Sequence, residues 1–179
     1  TDCGACSFVT TAAKSVVAVE AARGNASLKS VLCVGGATEC LNYEDVIAAC
    51  SPEPLGEESG GAPMLYSSGT TGVPKGVVRP LPDRHPREVA GVALALQFAW
   101  GGGQQMQYLS PAPLYHSAPL TFALGTHRLG GTVYVMERFD AEAALRAIQE
   151  HRITHSQWVP TMFSRCLLYT SDAADEGLG

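Results

Sequence analysis

Short apolar runs and stretches with helical spacing alternate along this chain, and the alternation predicts its elements. Ser7-Phe8-Val9-Thr10-Thr11 is β-branched and short, so it reads as a strand. Residues 12–23 carry Ala, Val and Lys at helical spacing before Gly24-Asn25 stops the run. Val31-Leu32-Cys33-Val34-Gly35-Gly36 reads as a buried strand ending in glycines, and residues 43–50 as a short helix that closes before Ser51-Pro52. Two βα units therefore open the chain.

Residues 51–62 hold two prolines, three glycines and three glutamates, a polar connector that leads to the apolar Ala62-Pro63-Met64-Leu65-Tyr66 strand. Val77-Val78 is apolar enough to re-enter a sheet, which leaves the segment between as the tip of a turn. Three prolines exclude regular structure over residues 79–86. Apolar positions 89, 92, 93, 96, 99 and 100 then share one helix face, ended by Gly101-Gly102-Gly103. Residues 106–109 read as a strand broken by Ser110-Pro111-Ala112-Pro113, and residues 132–136 as another. Asp140 is a candidate N-cap for a helix over 141–151, and residues 153–158 return as a strand, completing a βαβ crossover. In that helix Ala141, Ala144, Leu145 and Ile148 form the buried face while Glu142, Arg146 and Glu150 face water. Glu142 and Arg146 make an i,i+4 pair worth ~0.3 kcal/mol. The fold class is α/β and layered.

Composition narrows the function classes. A chain of 179 residues, 46% of them hydrophobic, is one domain's worth and long enough to bury a core. A net charge of −5 argues against a nucleic-acid partner, and the densest basic group is only Arg79, Arg84 and Arg87. Cys3 and Cys6 form a lone C-x-x-C, while Cys33, Cys40 and Cys50 lack zinc-ligand spacing, so free thiols are expected. His151 and His155 have i,i+4 spacing, but no Glu follows His151 and the predicted helix ends between them, which makes them structural. No apolar run reaches the ~20 residues of a membrane span, and no signal peptide is visible, so the expectation is a soluble, cytoplasmic protein whose N-terminus lies upstream of Thr1.

One segment carries chemistry: Ser67-Ser68-Gly69-Thr70-Thr71-Gly72-Val73-Pro74-Lys75-Gly76. Its glycines let the backbone bend and approach a ligand closely. Its hydroxyls and successive N–H groups offer donors to anionic oxygens, and Lys75 adds a positive charge. A solvent-exposed loop is the bland alternative. A Walker A loop closes on Gly-Lys-Ser/Thr, whereas here Pro74 precedes Lys75 and Gly76 follows it, so a P-loop NTPase is excluded.

From Met64 to Gly76 the chain resembles the phosphate-loop signature of the adenylate-forming (AMP-binding) superfamily, which includes acyl-CoA synthetases and the adenylation domains of peptide synthetases. The resemblance implies that Ser67, Ser68, Gly69, Thr70, Thr71, Gly72 and Lys75 contact the phosphates of ATP. About forty residues on, Pro113-Leu114-Tyr115-His116-Ser117-Ala118-Pro119 looks like the second core motif of acyl-CoA synthetases, where the aromatic and the histidine lie beside carboxylate and adenylate. Without that context, His116 reads as a structural histidine satisfied by a backbone carbonyl. With it, His116 offsets the repulsion between a carboxylate and the α-phosphate by donating a hydrogen bond. It is no general base, because a carboxylate with a pKa near ~4 is already ionised at neutral pH. Residues 154–163 again resemble acyl-CoA synthetases along the acyl pocket, and Trp158 and Met162 either line that pocket or pack the core.

The resemblance runs through about residue 165 and implies part of a larger N-terminal domain, with an incomplete sheet. Residues 166–179 look like adapter read-through, so they are expected to be poorly packed and without site residues. The resemblance also implies Mg2+ bound through a later glutamate, an aspartate on the ribose and a C-terminal-domain lysine, and none of those motifs occurs in these residues. The expectation is therefore a fragment, residues 1–165, of an enzyme that activates a carboxylic acid with ATP and passes it to coenzyme A, inactive by itself. Fatty, bile and aromatic acids all remain open. A nonenzymatic nucleotide-binding module and a carrier-protein-loading adenylation domain are the competing readings.

Overall fold

The computed structural model describes residues 3–36, 39–67, 74–88 and 91–176, with side chains through residue 170. The chain divides into two compact units, Thr1–His85 and Pro86–Gly179.

In the first unit, β1 (Ser7–Thr11) passes through a 3-10 turn at Ala12–Lys14 into α1 (Ser15–Ala22), and β2 (Ser30–Val34) returns parallel to β1. The predicted helix over 12–23 is thus split by a tighter first turn. A two-residue strand, β3 (Leu41–Asn42), extends the sheet on the other side of β2 and leads directly into α2 (Tyr43–Ala48). The Asn42 side chain caps that helix, accepting the Asp45 N–H at 3.1 Å. Parallel sheets are ordinarily covered on both faces, yet Val9 on β1 is 52% exposed, and Ala18 and Cys33 are this unit's only buried apolar residues among those described. The sheet is incomplete, as expected. Burial raises the Cys33 thiol pKa above its ordinary value, with Cys40 and Glu44 adding to the rise.

Past the irregular connector, β4 (Leu65–Ser67) and β5 (Lys75–Val77) form a separate antiparallel pair. The strand predicted over 62–66 starts later than expected, and Pro63, which has no amide hydrogen for a ladder, lies in the irregular stretch before it.

The second unit opens with α3 (Val92–Trp100), which starts after Gly91 rather than at residue 87. Gly101 ends it in the left-handed conformation, φ 62°, where a side chain would be strained. Then follow β6 (Gln107–Ser110), α4 (Ser117–Arg128), β7 (Thr132–Val135), α5 (Ala141–Glu150), β8 (His155–Ser156) and α6 (Pro160–Glu176). The strand order is β7-β6-β8, all parallel, so the chain goes from β6 to one neighbour and crosses back to the other. Crossovers between parallel strands are right-handed as a rule, and two of them running in opposite directions put α4 and α5 on opposite faces of the sheet.

Side-chain alternation along β6 serves both layers. Tyr108 is fully buried toward α4, where its ring lies 6.5 Å from Phe122, and Phe122 stacks on Trp100 at 5.3 Å. Leu96, Met106 and Tyr108 form the core cluster there, with Val92, Phe122, Leu129 and Val133 packed on it. On α5, Ala144 is buried and Ala141, Leu145 and Ile148 are half-buried, while Glu142 pairs with Arg146, as its periodicity predicts.

α6 runs without a break across residue 166, so the boundary expected at 165 falls inside a helix. Beyond it, Cys166 is half-buried, while Leu167 and Leu168 are exposed. Among the described residues no helix is long and apolar enough to cross a membrane.

Asp140 accepts the Ala143 N–H at 2.8 Å and so caps α5. Asp140→Ala is expected to lower stability by ~1 kcal/mol, read as a lower urea midpoint at unchanged slope, and Asp140→Ser to recover most of it.

Candidate functional site

The hydroxyl- and glycine-rich run leaves β4 at Ser67 and rejoins the sheet at Lys75, and those two residues face each other in the ladder. The ladder therefore fixes both ends of the segment, and Ser67 and Lys75 are exposed. Ser68, Gly69, Thr70, Thr71 and Gly72 lie, with Val73, outside the described residues. Gly76 stands opposite Tyr66, and a Cβ at that position would run into the Met64 terminal methyl and come within 3.2 Å of the Tyr66 ring. The glycine that ends the run is there for space.

In the second unit, the candidate residues follow β6 and β8, neighbouring strands at the point where the strand order reverses. Open α/β sheets generally bind ligands beyond the carboxyl ends of such strands. The chain leaving β6 holds Pro111 and Ala112 buried, then turns so that the His116 N–H donates to the Pro113 carbonyl at 3.1 Å. Tyr115 is 80% exposed, and its ring lies 4.4 Å from that of His116 at 46°. His116 is the N-cap residue of α4, yet its side chain makes no capping hydrogen bond. The imidazole is exposed at the positive end of a helix dipole, an arrangement suited to an anion.

Trp158 and Met162, which follow β8, are used for packing. Trp158 meets Phe139 edge-on at 5.6 Å and stacks on Phe163 at 5.3 Å, and its indole N–H donates to Ser156 Oγ. Met162 is buried. Among the described residues no hydrogen bond or ring contact joins either of them to Tyr115 or His116. His151 stacks on Tyr134 at 4.3 Å, and His155 uses both ring nitrogens, on Thr154 Oγ1 at 2.8 Å and the Trp100 carbonyl at 3.0 Å. An open depression of about 390 Å³ beside Trp100, Thr154, His155 and Ser156 adjoins this second histidine.

Sequence reasoning missed three polar groups at the reversal. Tyr108 OH, Ser110 Oγ and Gln157 Oε1 are buried without a hydrogen-bond partner among the described residues. Tyr108 pairs with His155 and Leu109 with Ser156, so Ser110 and Gln157 each stand one position past the last pair. Polar residues where a strand meets Pro111 were the available signal. Burial pushes the Tyr108 hydroxyl up to about 12, and the nearby Gln157 main chain offsets part of that rise without completing a hydrogen bond.

The first unit holds the hairpin that bounds this run and the second a three-stranded parallel sheet, both within an α/β fold. The family model described as AMP-binding enzyme matches residues 1–177, and the chain belongs to that family. It is 38% identical over 117 residues to 4-coumarate–CoA ligase-like 6 of Arabidopsis thaliana, covering 62% of this chain and 20% of that protein. It is 33% identical over 135 residues to 2-succinylbenzoate–CoA ligase of Bacillus licheniformis, covering 73% of this chain and 27% of that protein. The chain thus spans between 20% and 27% of these relatives. Its fold is similar to the N-terminal domain of FACL13 from Mycobacterium tuberculosis, with a TM-score of 0.66 at 23% identity, over 91% of this chain and 40% of that one.

Two outcomes follow from the geometry. A raised pKa means that the folded state holds its proton more tightly, so the Tyr108 contribution is intact below about pH 10, the ordinary tyrosine value, and is lost as pH climbs toward 12. Tyr108→Phe should flatten this alkaline limb in pH-dependent urea unfolding and, by removing an unpaired hydroxyl, leave neutral-pH stability within ~1 kcal/mol. Gly76→Ala should speed amide exchange in β4 and β5 while leaving β6 unchanged; equal exchange there would show that Met64 and Tyr66 yield freely.

Proposed function

We propose that the chain is the phosphate-holding part of an ATP-dependent acid–CoA ligase. In that reaction a carboxylate oxygen attacks the α-phosphorus of ATP and pyrophosphate leaves. The sulfur of coenzyme A then attacks the acyl carbon of the acyl-adenylate, and AMP leaves. The observation that carries the reading is the pairing of Ser67 with Lys75, which anchors both ends of the Ser/Gly/Thr run and holds a lysine at its base.

In this reading Ser67, Ser68, Gly69, Thr70, Thr71 and Gly72 supply hydroxyls and main-chain N–H groups to the phosphate oxygens, and Lys75 offsets their charge. His116 donates to the carboxylate or the bridging phosphate oxygen, aided by the α4 dipole, and Tyr115 lies against the acid. Trp158 and Met162 back the acyl pocket from the core. Mg2+ would neutralise phosphate charge, but among the described residues no group of His, Cys, Asp or Glu is placed to hold a metal, so none of this chain's residues is assigned to it. The names of the relatives, a coumarate-type and a succinylbenzoate ligase, support a carboxylic acid as substrate and coenzyme A as acceptor. Fatty acids belong to the same substrate class. Six free cysteines support a reducing, cytoplasmic setting. Residues 166–179 take no part in the site.

Because the chain spans a minor part of its relatives, it should bind ATP without completing the reaction. Acid-dependent ATP–pyrophosphate exchange by the purified chain is expected to be absent, and measurable exchange would refute the claim of inactivity. Lys75→Ala should weaken ATP binding about tenfold or more in an equilibrium titration, the worth of a charge-assisted contact. An unchanged dissociation constant would remove Lys75 from the site.

A further inference from the structure

The β4–β5 ladder is only three pairs long, Leu65 with Val77, Tyr66 with Gly76 and Ser67 with Lys75, and such a short two-stranded ribbon is marginal by itself in water. It does not stand alone. The connector before β4 runs back along the segment after β5, and the Gly60 N–H donates to the Arg84 carbonyl at 2.9 Å. A Cβ on Gly60 would come within 3.2 Å of Pro82 and 3.3 Å of that carbonyl, so the two arms lie in close contact. At the far end of the arms, His85 Nε2 meets Glu58 Oε2 at 2.9 Å, with the Glu58 side chain 27% exposed and that of His85 43%. Arms of seven residues (58–64) and eight residues (78–85) thus end in one polar clasp, the opposite end from the phosphate run.

From this we infer that Glu58 and His85 are positioning residues for nucleotide binding: their contact, with the Gly60–Arg84 hydrogen bond, clamps the base of the hairpin and holds Ser67 and Lys75 in register. The inference rests on the phosphate-holding reading above. Its physical basis is entropic. A three-pair ladder frays readily, and each opening separates the two ends of the run, whereas a second closure limits how far the arms can part. The clasp lies outside the ladder that carries Ser67 and Lys75. It acts through the ladder alone, and the sequence between, with Pro80, Pro82 and Pro63, has few conformations to lose. The glutamates and prolines of the connector, which read as a mere linker, gain a task.

The test compares the 179-residue chain with Glu58→Gln, His85→Gln and the reciprocal double variant Glu58→His/His85→Glu. Amide exchange at residues 65–67 and 75–77 should rise roughly two- to fivefold in each single variant, the range expected of a partly exposed polar contact, and return toward the parent value in the reciprocal one. The half-saturating ATP concentration should rise and recover by the same factors. Exchange in β1, β2 and α5 should not change. Unaltered exchange in both single variants would overturn the clamp, and so would an increase spread evenly over β1 and β2 or a reciprocal variant without recovery. Failure of the parent chain to bind ATP would instead overturn the phosphate-holding reading, and the exchange pattern would then decide the clamp separately.

Discussion

The burial of β6 governs the second unit. Tyr108, Leu109 and Ser110 are each at most 1% exposed, and the strand pairs in parallel on both edges. A parallel strand flanked on both sides needs crossovers, and right-handed crossovers running to opposite edges put helices on both faces and leave a crevice where they diverge. The Pro111–His116 segment leaves the sheet at the carboxyl end of β6, and the segment after β8 leaves beside it. The exposure of Tyr115 and His116 follows from that exit: the strand before them is buried, and the chain leaves the core as soon as the strand ends.

The phosphate run obeys a different rule. Its two ends, Ser67 and Lys75, belong to an antiparallel ribbon that is hydrogen-bonded to no parallel strand, so no crossover connection flanks them. Its geometry depends on a three-pair ladder, on the room Gly76 leaves for Met64 and Tyr66, and on the contacts of residues 58–60 with 84–85. The register of the two strands that bound the run is set by these contacts and not by the run itself.

Much of this was legible in the sequence, and the failures have physical causes. β1, β2, α2, β7 and the Asp140 cap stand where periodicity and capping residues put them, since each rests on local signals. α4 was missed because Pro119 and the two residues Gly125 and Thr126 obscure its helical spacing, while tertiary packing on α3 and β6 supports it. β8 shrank to His155–Ser156 because strand length depends on partners, and its one partner, β6, pairs over only two residues. The motif that marks the family was readable by residue type and order. What could not be read was that Trp158 is held between Phe139 and Phe163, or that Ser110 and Gln157 come to adjacent registers across 47 residues of chain, because both depend on pairing between distant segments.

The central claim is that ATP phosphates lie at the Ser67–Lys75 end of the hairpin, and lysine labelling tests it most directly. The chain carries Lys14 and Lys29 in the first unit as internal references for Lys75. With an amine-acylating reagent and peptide mass spectrometry, ATP should slow modification of Lys75 severalfold and leave Lys14 and Lys29 unchanged. Equal labelling of all three lysines with and without ATP would contradict the account.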